Sequence, residues 1–250
     1  MPDPVLLLHG QPGSARDWER VQRAIAGRAQ TIAFERPGWD GRSMPQDLAG
    51  NAAAALAELD RLGVDRATVA GHSFGGAVAA WLAASDPERV GALVLIAPSA
   101  NVASLNRLDR VLAAPVLGDV LVGSTFVGVG AALRAMAVRR RVADLLSVEE
   151  GYLRGTARDL VRPATSRAFM VEQRMLIRDL PSLEVRLGAI SAPTTIVIGT
   201  EDLVVAPGSA RKLARQIAGA ELVEVPGATH LLPHLRPKHL AEVIVAASER

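Results

Sequence analysis

Short apolar runs alternate along the chain with longer alanine-rich, amphipathic stretches. Six of the runs have the length and the Val, Ile, Leu and Thr content of buried strands. They begin at Pro4, Thr31, Arg66, Gly91, Thr194 and Glu221. The stretches between them predict helices over residues 17–27, 47–62, 74–85, 207–217 and 237–248. Strands that alternate with helices predict an α/β fold, a mostly parallel sheet flanked by helices.

The alternation stops between residues 99 and 191. No buried strand is evident there, and the helical pieces are interrupted by glycines and prolines. The segment carries thirteen arginines against nine acidic residues, so it is more basic than the rest of the chain. These changes predict two parts: a core formed by residues 1–98 and 192–250, and a helical cap or lid inserted as residues 99–191.

Composition limits the classes of protein that the chain can be. At 250 residues, 49% hydrophobic and 22% charged, it is long enough to bury a sizeable core. The absence of cysteine excludes disulfides and thiol nucleophiles and agrees with a cytoplasmic location, and the first ten residues lack the basic region of a secretory signal. A net charge of +2 with few aromatic residues argues against nucleic acid as a partner.

One apolar stretch, residues 120–133, could be mistaken for a membrane span. It has 14 residues between two charged ones, whereas a spanning helix needs about 20. We therefore expect a buried or ligand-facing helix and no membrane span.

The segment "VAGHSFGGAVAAWLAASDP", residues 69–87, places a serine between glycines where a strand gives way to a helix. A turn sharp enough to expose a nucleophile strains the serine backbone, so its neighbours must be small. Gly71 and Gly75 stand two residues before and after Ser73, and Gly76 lets the helix pack closely on the strand. The pattern predicts a G-x-S-x-G nucleophile elbow with Ser73 as the nucleophile.

A serine hydroxyl needs a base, and the base needs a carboxylate that orients it. Asp202 follows the fifth predicted strand and His230 follows the sixth. Because the carboxyl ends of parallel strands meet at one edge of a sheet, we expect both side chains to converge on Ser73. The chain order Ser, Asp, His is the order expected for this architecture.

Neighbouring residues leave alternatives for both roles. Glu201 adjoins the predicted acid and could replace it. His234 and His239 could compete with the predicted base, although the sequence places them at or within the last helix. His72 adjoins the nucleophile, and we expect it to point away from it as a packed structural residue.

The first strand ends in "HGQPGS", residues 9–14, whose glycines and proline predict a tight loop. Such a loop can present a backbone N–H to charge that develops on a substrate. We expect the N–H groups of Gln11 and Phe74 to form an oxyanion hole. The residues predict neither a cofactor site nor a metal site.

Five motifs together resemble the α/β-hydrolase superfamily: "HGQPG", "ERPGWDGRS", "GHSFGG", "GTEDLVV" and "GATHLLPHLRP". The family usually has a strand pair before the strand that ends in "HG", but here that strand begins almost at Met1, so we expect six strands in the order 2-1-3-4-5-6. The resemblance also implies a helical cap and a triad of Ser73, Asp202 and His230. The mechanism that it implies is acyl transfer to the serine, followed by hydrolysis by a water that the histidine activates.

Two residues argue against particular branches of the superfamily, and a third departs from its usual pattern. Ser73 argues against haloalkane dehalogenases and epoxide hydrolases, which have aspartate at the elbow. Leu231 argues against plant hydroxynitrile lyases, which have lysine at that place. Asp40 stands in its loop where glycine is commoner in the family.

We therefore expect a cofactor-independent serine hydrolase that cleaves an ester or related acyl bond of a small, largely apolar molecule. Carbon–carbon bond hydrolysis of ring-cleavage products, thioester cleavage, perhydrolase chemistry and a ligand-binding receptor without activity stay open. A homo-oligomer also stays open. Most arginines of the predicted cap are expected on solvated faces, and the sequence leaves open whether any contacts the ligand.

Overall fold

Six parallel strands form the centre of the protein, in the order β2-β1-β3-β4-β5-β6. The computed structural model describes residues 3–146 and 148–250. The strands are β1 Val5–Leu8, β2 Thr31–Phe34, β3 Ala67–His72, β4 Val90–Ile96, β5 Thr194–Gly199 and β6 Glu221–Val225. The predicted α/β fold, its six strands and their order are confirmed.

Burial along each strand follows its place in the sheet. Every residue of β1, β3, β4 and β5 is buried, because helices cover both faces of the central strands. The two edge strands are more accessible: β2 is half-buried throughout, and β6 exposes Glu221 and Glu224. The continuous apolar runs of the sequence thus correspond to the central strands of the sheet.

Five helices that flank the sheet lie close to their predicted positions: α1 Glu19–Ile25, α2 Leu48–Arg61, α3 Phe74–Ser85, α9 Pro207–Gln216 and α11 Pro237–Ser248. A sixth, the short helix α10 Leu232–Leu235, lies where no helix was predicted. The Asp47 carboxylate caps α2 by accepting the Gly50 N–H at 2.8 Å. Gly63, just beyond the same helix, has φ +67, a conformation that glycine adopts without strain.

Five further helices lie between β4 and β5. They are α4 Arg107–Ala113, α5 Leu117–Arg134, α6 Met136–Leu146, α7 Glu150–Leu160 and α8 Pro163–Arg186. The described part of this segment contains no strand, as its lost alternation indicates. The last helix, α8, also packs against α2 and α3, so it joins the segment to the sheet layers. That residues 99–191 act as a separate cap stays a prediction.

The helix α5 differs from its expectation. Among the described helices it alone is long and apolar enough to cross a membrane, with a mean hydropathy of 1.3, yet only 22% of it is buried. It packs against α4, α6, α7 and α8, and most of its residues are nevertheless exposed. Of the two alternatives expected for residues 120–133, burial is therefore wrong for most of the stretch, and a ligand-facing helix stays a prediction.

Candidate active site

The elbow between β3 and α3 has a strained serine at its tip. Ser73 has φ 54 and ψ −118, a backbone conformation rare for any residue with a side chain. Its N–H donates to the Ile96 carbonyl at 2.9 Å, and its own carbonyl accepts the Gly76 N–H at 2.9 Å. Hydrogen bonds on both sides of the residue therefore hold this conformation.

The glycines of the elbow are required by close backbone contacts. A Cβ added to Gly71 would overlap the Gly75 carbonyl. A Cβ added to Gly75 would overlap the carbonyls of Leu8 and His9 at the end of β1. Glycine at position 71 therefore lets the elbow fold tightly on itself, and glycine at position 75 lets it approach the end of the first strand.

The predicted acid and base meet at the same edge of the sheet. The Asp202 side chain is fully buried, and its Oδ2 lies 2.8 Å from Nδ1 of His230. Its Oδ1 accepts the N–H groups of Val204 and Val205, each at 2.9 Å. With Nδ1–H donating to the carboxylate, Nε2 of the imidazole is left as the basic nitrogen. By contrast, Glu201 is exposed and makes no ion pair with His230 among the described residues.

The structure does not join the serine and the base by a hydrogen bond. Within residues 3–146 and 148–250, no hydrogen bond links the Ser73 hydroxyl to His230. Such bonds are often long in empty active sites and tighten when substrate binds. The contact between nucleophile and base therefore stays a prediction.

His72 has a role that the sequence did not indicate. Its Nε2 hydrogen-bonds to the His230 carbonyl at 2.9 Å, and the two rings are 4.8 Å apart between centroids. Burial lowers the pKa of His72 well below the ordinary value for histidine, so its ring is neutral at pH 7. A neutral donor thus supports the loop of the predicted base without adding a charge beside it.

The other two histidines lie where the sequence expected them. His234 is on α10, where its ring is 4.2 Å from that of Tyr152 between centroids. Burial lowers its pKa to about 4. His239 is on α11. Neither forms an ion pair with Asp202 among the described residues.

The loop after β1 passes directly beside the elbow. A Cβ on Gly10 would come within 3.1 Å of the Ser73 Cβ, so the two segments are in contact. In the part of the chain that the structure describes, the backbone N–H groups of Gln11 and Phe74 donate to no protein acceptor. The side chain of Gln11 donates from Nε2 to Oε1 of Gln173 on α8 at 2.7 Å. The loop is thereby tied to the helical segment.

A buried ion pair that sequence reasoning missed lies beside this loop. The side chains of Arg36, which follows β2, and Glu172, on α8, are both fully buried and form a bidentate contact. The guanidinium also donates to the carbonyls of His9 and Gly10, each at 2.9 Å, and lies 4.6 Å from the centroid of the Phe74 ring. Arg36 therefore contacts both segments that carry the predicted oxyanion donors.

Glu172 is poorly solvated, and burial raises its pKa, although the Arg36 guanidinium opposes the rise. Arg36 lies in the motif "ERPGWDGRS", one of the five that resemble the superfamily. Nothing in the sequence pairs that residue with one 136 positions later.

A cavity of about 470 Å³ opens beside the same loop. Its wall includes Pro12 and Gly13, and most of the other lining side chains are polar or charged. Ser73 and His230 are not among the lining residues, so the cavity does not include the predicted nucleophile or base. Burial raises the pKa of the lining residue Asp17 to about 7. Among the described residues, no group of three or more His, Asp or Glu side chains is placed to hold a metal ion.

Known proteins agree with this architecture. The family model for the alpha/beta hydrolase fold matches residues 3–237. A pimeloyl-[acyl-carrier protein] methyl ester esterase from Neisseria meningitidis is 26% identical over 92% of this chain and 88% of the relative. The dihydrolipoyllysine-residue acetyltransferase component of an acetoin cleaving system from Pseudomonas putida is 28% identical over 92% of this chain, which spans 59% of that longer protein.

A solved structure extends the likeness to three dimensions. The meta-cleavage product hydrolase from Pseudomonas fluorescens superposes with a TM-score of 0.75 at 19% identity, covering 98% of this chain and 90% of that one. At this identity the likeness concerns the fold.

Proposed function

Because the chain belongs to the α/β-hydrolase fold family, we propose that it is a serine hydrolase that cleaves an ester or related acyl bond of a small molecule without a cofactor. The observation that carries the proposal is the Asp202–His230 pair, 2.8 Å apart, at the sheet edge where the strained Ser73 turn also lies. A buried carboxylate that holds an imidazole in one tautomer is what general-base activation of a serine requires.

In the proposed reaction, the Ser73 oxygen attacks the carbonyl carbon of the substrate while Nε2 of His230 takes the hydroxyl proton. The negative charge on the tetrahedral intermediate accepts hydrogen bonds from the Gln11 and Phe74 N–H groups. The intermediate collapses, the imidazolium gives its proton to the leaving group, and an acyl-serine remains. Water then attacks the acyl carbon while His230 takes one of its protons, the bond from that carbon to the Ser73 oxygen breaks, the imidazolium returns the proton to the serine, and the carboxylic acid leaves.

The substrate is proposed to reach the serine from the side of the helical segment, residues 99–191, acting as a cap. Support comes from α8, whose Gln173 contacts the side chain of Gln11 beside the elbow. The substrate is proposed to be small and largely apolar, as the composition predicts; the polar cavity beside the loop after β1 is lined by neither Ser73 nor His230, so its polarity does not bear on the substrate. A cytoplasmic location remains part of the proposal.

Two assays test the proposal together. Purified protein is incubated with a short-chain nitrophenyl ester, and separately with a fluorophosphonate probe that labels activated serines. We expect ester turnover and labelling at Ser73, both abolished in Ser73→Ala and both retained in Ser124→Ala, which removes an exposed hydroxyl on α5.

The outcomes separate the alternatives. A folded protein with neither labelling nor turnover contradicts the proposal and favours a ligand-binding role. Turnover of a ring-cleavage dienone that exceeds ester turnover by orders of magnitude favours carbon–carbon bond hydrolysis. Hydrogen-peroxide-dependent turnover with a carboxylic acid favours perhydrolase chemistry.

A further inference from the structure

The outward face of α5 carries no charged side chain over four turns. Seven residues at helical spacing form this stripe, and all are exposed: Leu117, Val120, Leu121, Ser124, Val127, Gly128 and Ala131. The Val120 side chain is 63% exposed and that of Val127 is 54% exposed. A helix face in contact with water normally carries charged residues, and an exposed apolar stripe of this length is typical of an interaction site.

Exposed apolar residues also occur on the segments that adjoin α5. Leu108 on α4 is 61% exposed, Val116 before α5 is 74% exposed, and Met136 on α6 is 55% exposed. Both α4 and α6 pack against α5. We name the outward stripe of α5 together with these three residues the α5 surface.

Arginines flank the α5 surface along the chain. Arg107 and Arg110 lie on α4, Arg134 ends α5, and Arg141 lies on α6. All four are exposed, and none has an acidic partner within 4 Å among the described residues. Apolar side chains between unpaired cations match an anionic lipid surface, which offers acyl chains to the first and charged headgroups to the second.

Two other arrangements fit the observations less well. A symmetric dimer through this face would bring the unpaired arginines of both copies towards each other. A membrane-spanning α5 would have to leave its contacts with α7 and α8, including the 2.8 Å ion pair between Asp119 and Arg174. If α5 stays in the fold and lies flat on a bilayer, it keeps its contacts with α7 and α8, and the arginines face lipid headgroups instead of a second copy.

We propose that the α5 surface binds the surface of an anionic lipid bilayer, with α5 parallel to the plane of the headgroups. This inference does not rest on the hydrolase activity, because the binding is measured on Ser73→Ala, which cannot form an acyl-serine. Failure of one proposal therefore leaves the other standing.

The test is flotation of full-length Ser73→Ala with vesicles of phosphatidylcholine, alone or mixed with phosphatidylglycerol. We expect binding to the mixed vesicles, weaker binding at high salt and little binding to phosphatidylcholine alone. Adding Val120→Asp and Val127→Asp should weaken binding at least about tenfold, because buried apolar area is lost and anions are introduced. Arg134→Gln should weaken it about fivefold.

The matched control is Val185→Asp, the same change at a side chain that is 87% exposed in the last turn of α8. It should bind vesicles as the parent does, and circular dichroism should show that all variants are folded. No binding to the mixed vesicles, or equal binding by the Val120→Asp, Val127→Asp variant, overturns the inference. A dimer in light scattering that the same two substitutions dissociate, without vesicle binding, assigns the surface to self-association instead.

Discussion

Replacing Glu172 by glutamine tests whether the buried ion pair with Arg36 supports the loop beside the nucleophile. Both side chains are fully buried, so the substitution leaves a guanidinium without its counter-ion and without water. Removing one partner of a buried pair costs about 3–5 kcal/mol of the free energy of unfolding. The glutamine oxygen can still accept one N–H, so we expect about 3 kcal/mol, which lowers Tm by about 6–12 °C in a chain of this size.

The double variant Arg36→Met, Glu172→Met separates stability from positioning. It removes both charges and keeps apolar volume, so its free energy of unfolding should lie nearer to the wild type than that of Glu172→Gln. It also removes the hydrogen bonds to the carbonyls of His9 and Gly10, which hold the loop of the predicted oxyanion donor. Loss of one such donor lowers kcat by about 10²–10³-fold, so a displaced loop should lower kcat by up to about 10²-fold with little change in KM.

The assays are thermal unfolding and steady-state turnover of a soluble nitrophenyl ester. The control is Glu224→Gln, which breaks the exposed 2.6 Å pair with Arg211 and should change stability by no more than about 1 kcal/mol. If Glu172→Gln is as stable as this control, the burial argument is wrong. If the double variant keeps the wild-type kcat, the ion pair does not position the loop.

Three further predictions follow from single residues. Gly75→Ala should abolish ester turnover, because the new Cβ overlaps two backbone carbonyls, whereas Gly123→Ala meets open space on a helix and should stabilise the fold by about 0.5–1 kcal/mol in thermal unfolding. Asp202→Asn should lower kcat by about 10⁴-fold and slow fluorophosphonate labelling while leaving the fold intact by circular dichroism; unchanged labelling would exclude it as the orienting acid. Burial raises the pKa of Asp17 to about 7, so unfolding releases a proton between about pH 4 and pH 7, and the free energy of unfolding should fall as pH rises through that window, by up to about 1.4 kcal/mol per pH unit. Urea titrations of wild type and Asp17→Asn should show that the substitution flattens this dependence, and equal slopes would refute the buried-acid explanation.

Most of the fold was predictable because one physical signal dominates it. Central strands of a parallel sheet are buried on both faces, so they appear in the sequence as continuous apolar runs. The elbow was predictable for a related reason, since a crowded turn excludes side chains and its glycines stand at fixed distances from Ser73. The meeting of Asp202 and His230 followed from both residues coming directly after neighbouring strands.

Contacts between polar groups far apart in the chain could not be predicted in this way. The pairing of Arg36 with Glu172 depends on how α8 lies against the sheet, which no local pattern determines. The same holds for the bond from His72 to the His230 carbonyl. Hydropathy alone does not tell whether an apolar helix faces the core, a ligand or solvent, so the exposure of α5 could not be predicted from its sequence.

Different helices of the segment between β4 and β5 serve the two proposed activities, ester hydrolysis and bilayer binding. The long helix α8 contributes Glu172 and Gln173 to the surroundings of the loop after β1, whereas no hydrogen bond or ion pair joins the outward stripe of α5 to that loop among the described residues. Bilayer binding at α5 could change turnover through α8 only under one condition. The protein would need two conformations that differ in α8, and the bilayer would have to bind one of them more tightly. The fully buried, bidentate ion pair of α8 opposes a second arrangement, because separating it would leave charges without water. Membrane binding should therefore act by concentrating substrate near the protein and should leave kcat for a soluble ester unchanged.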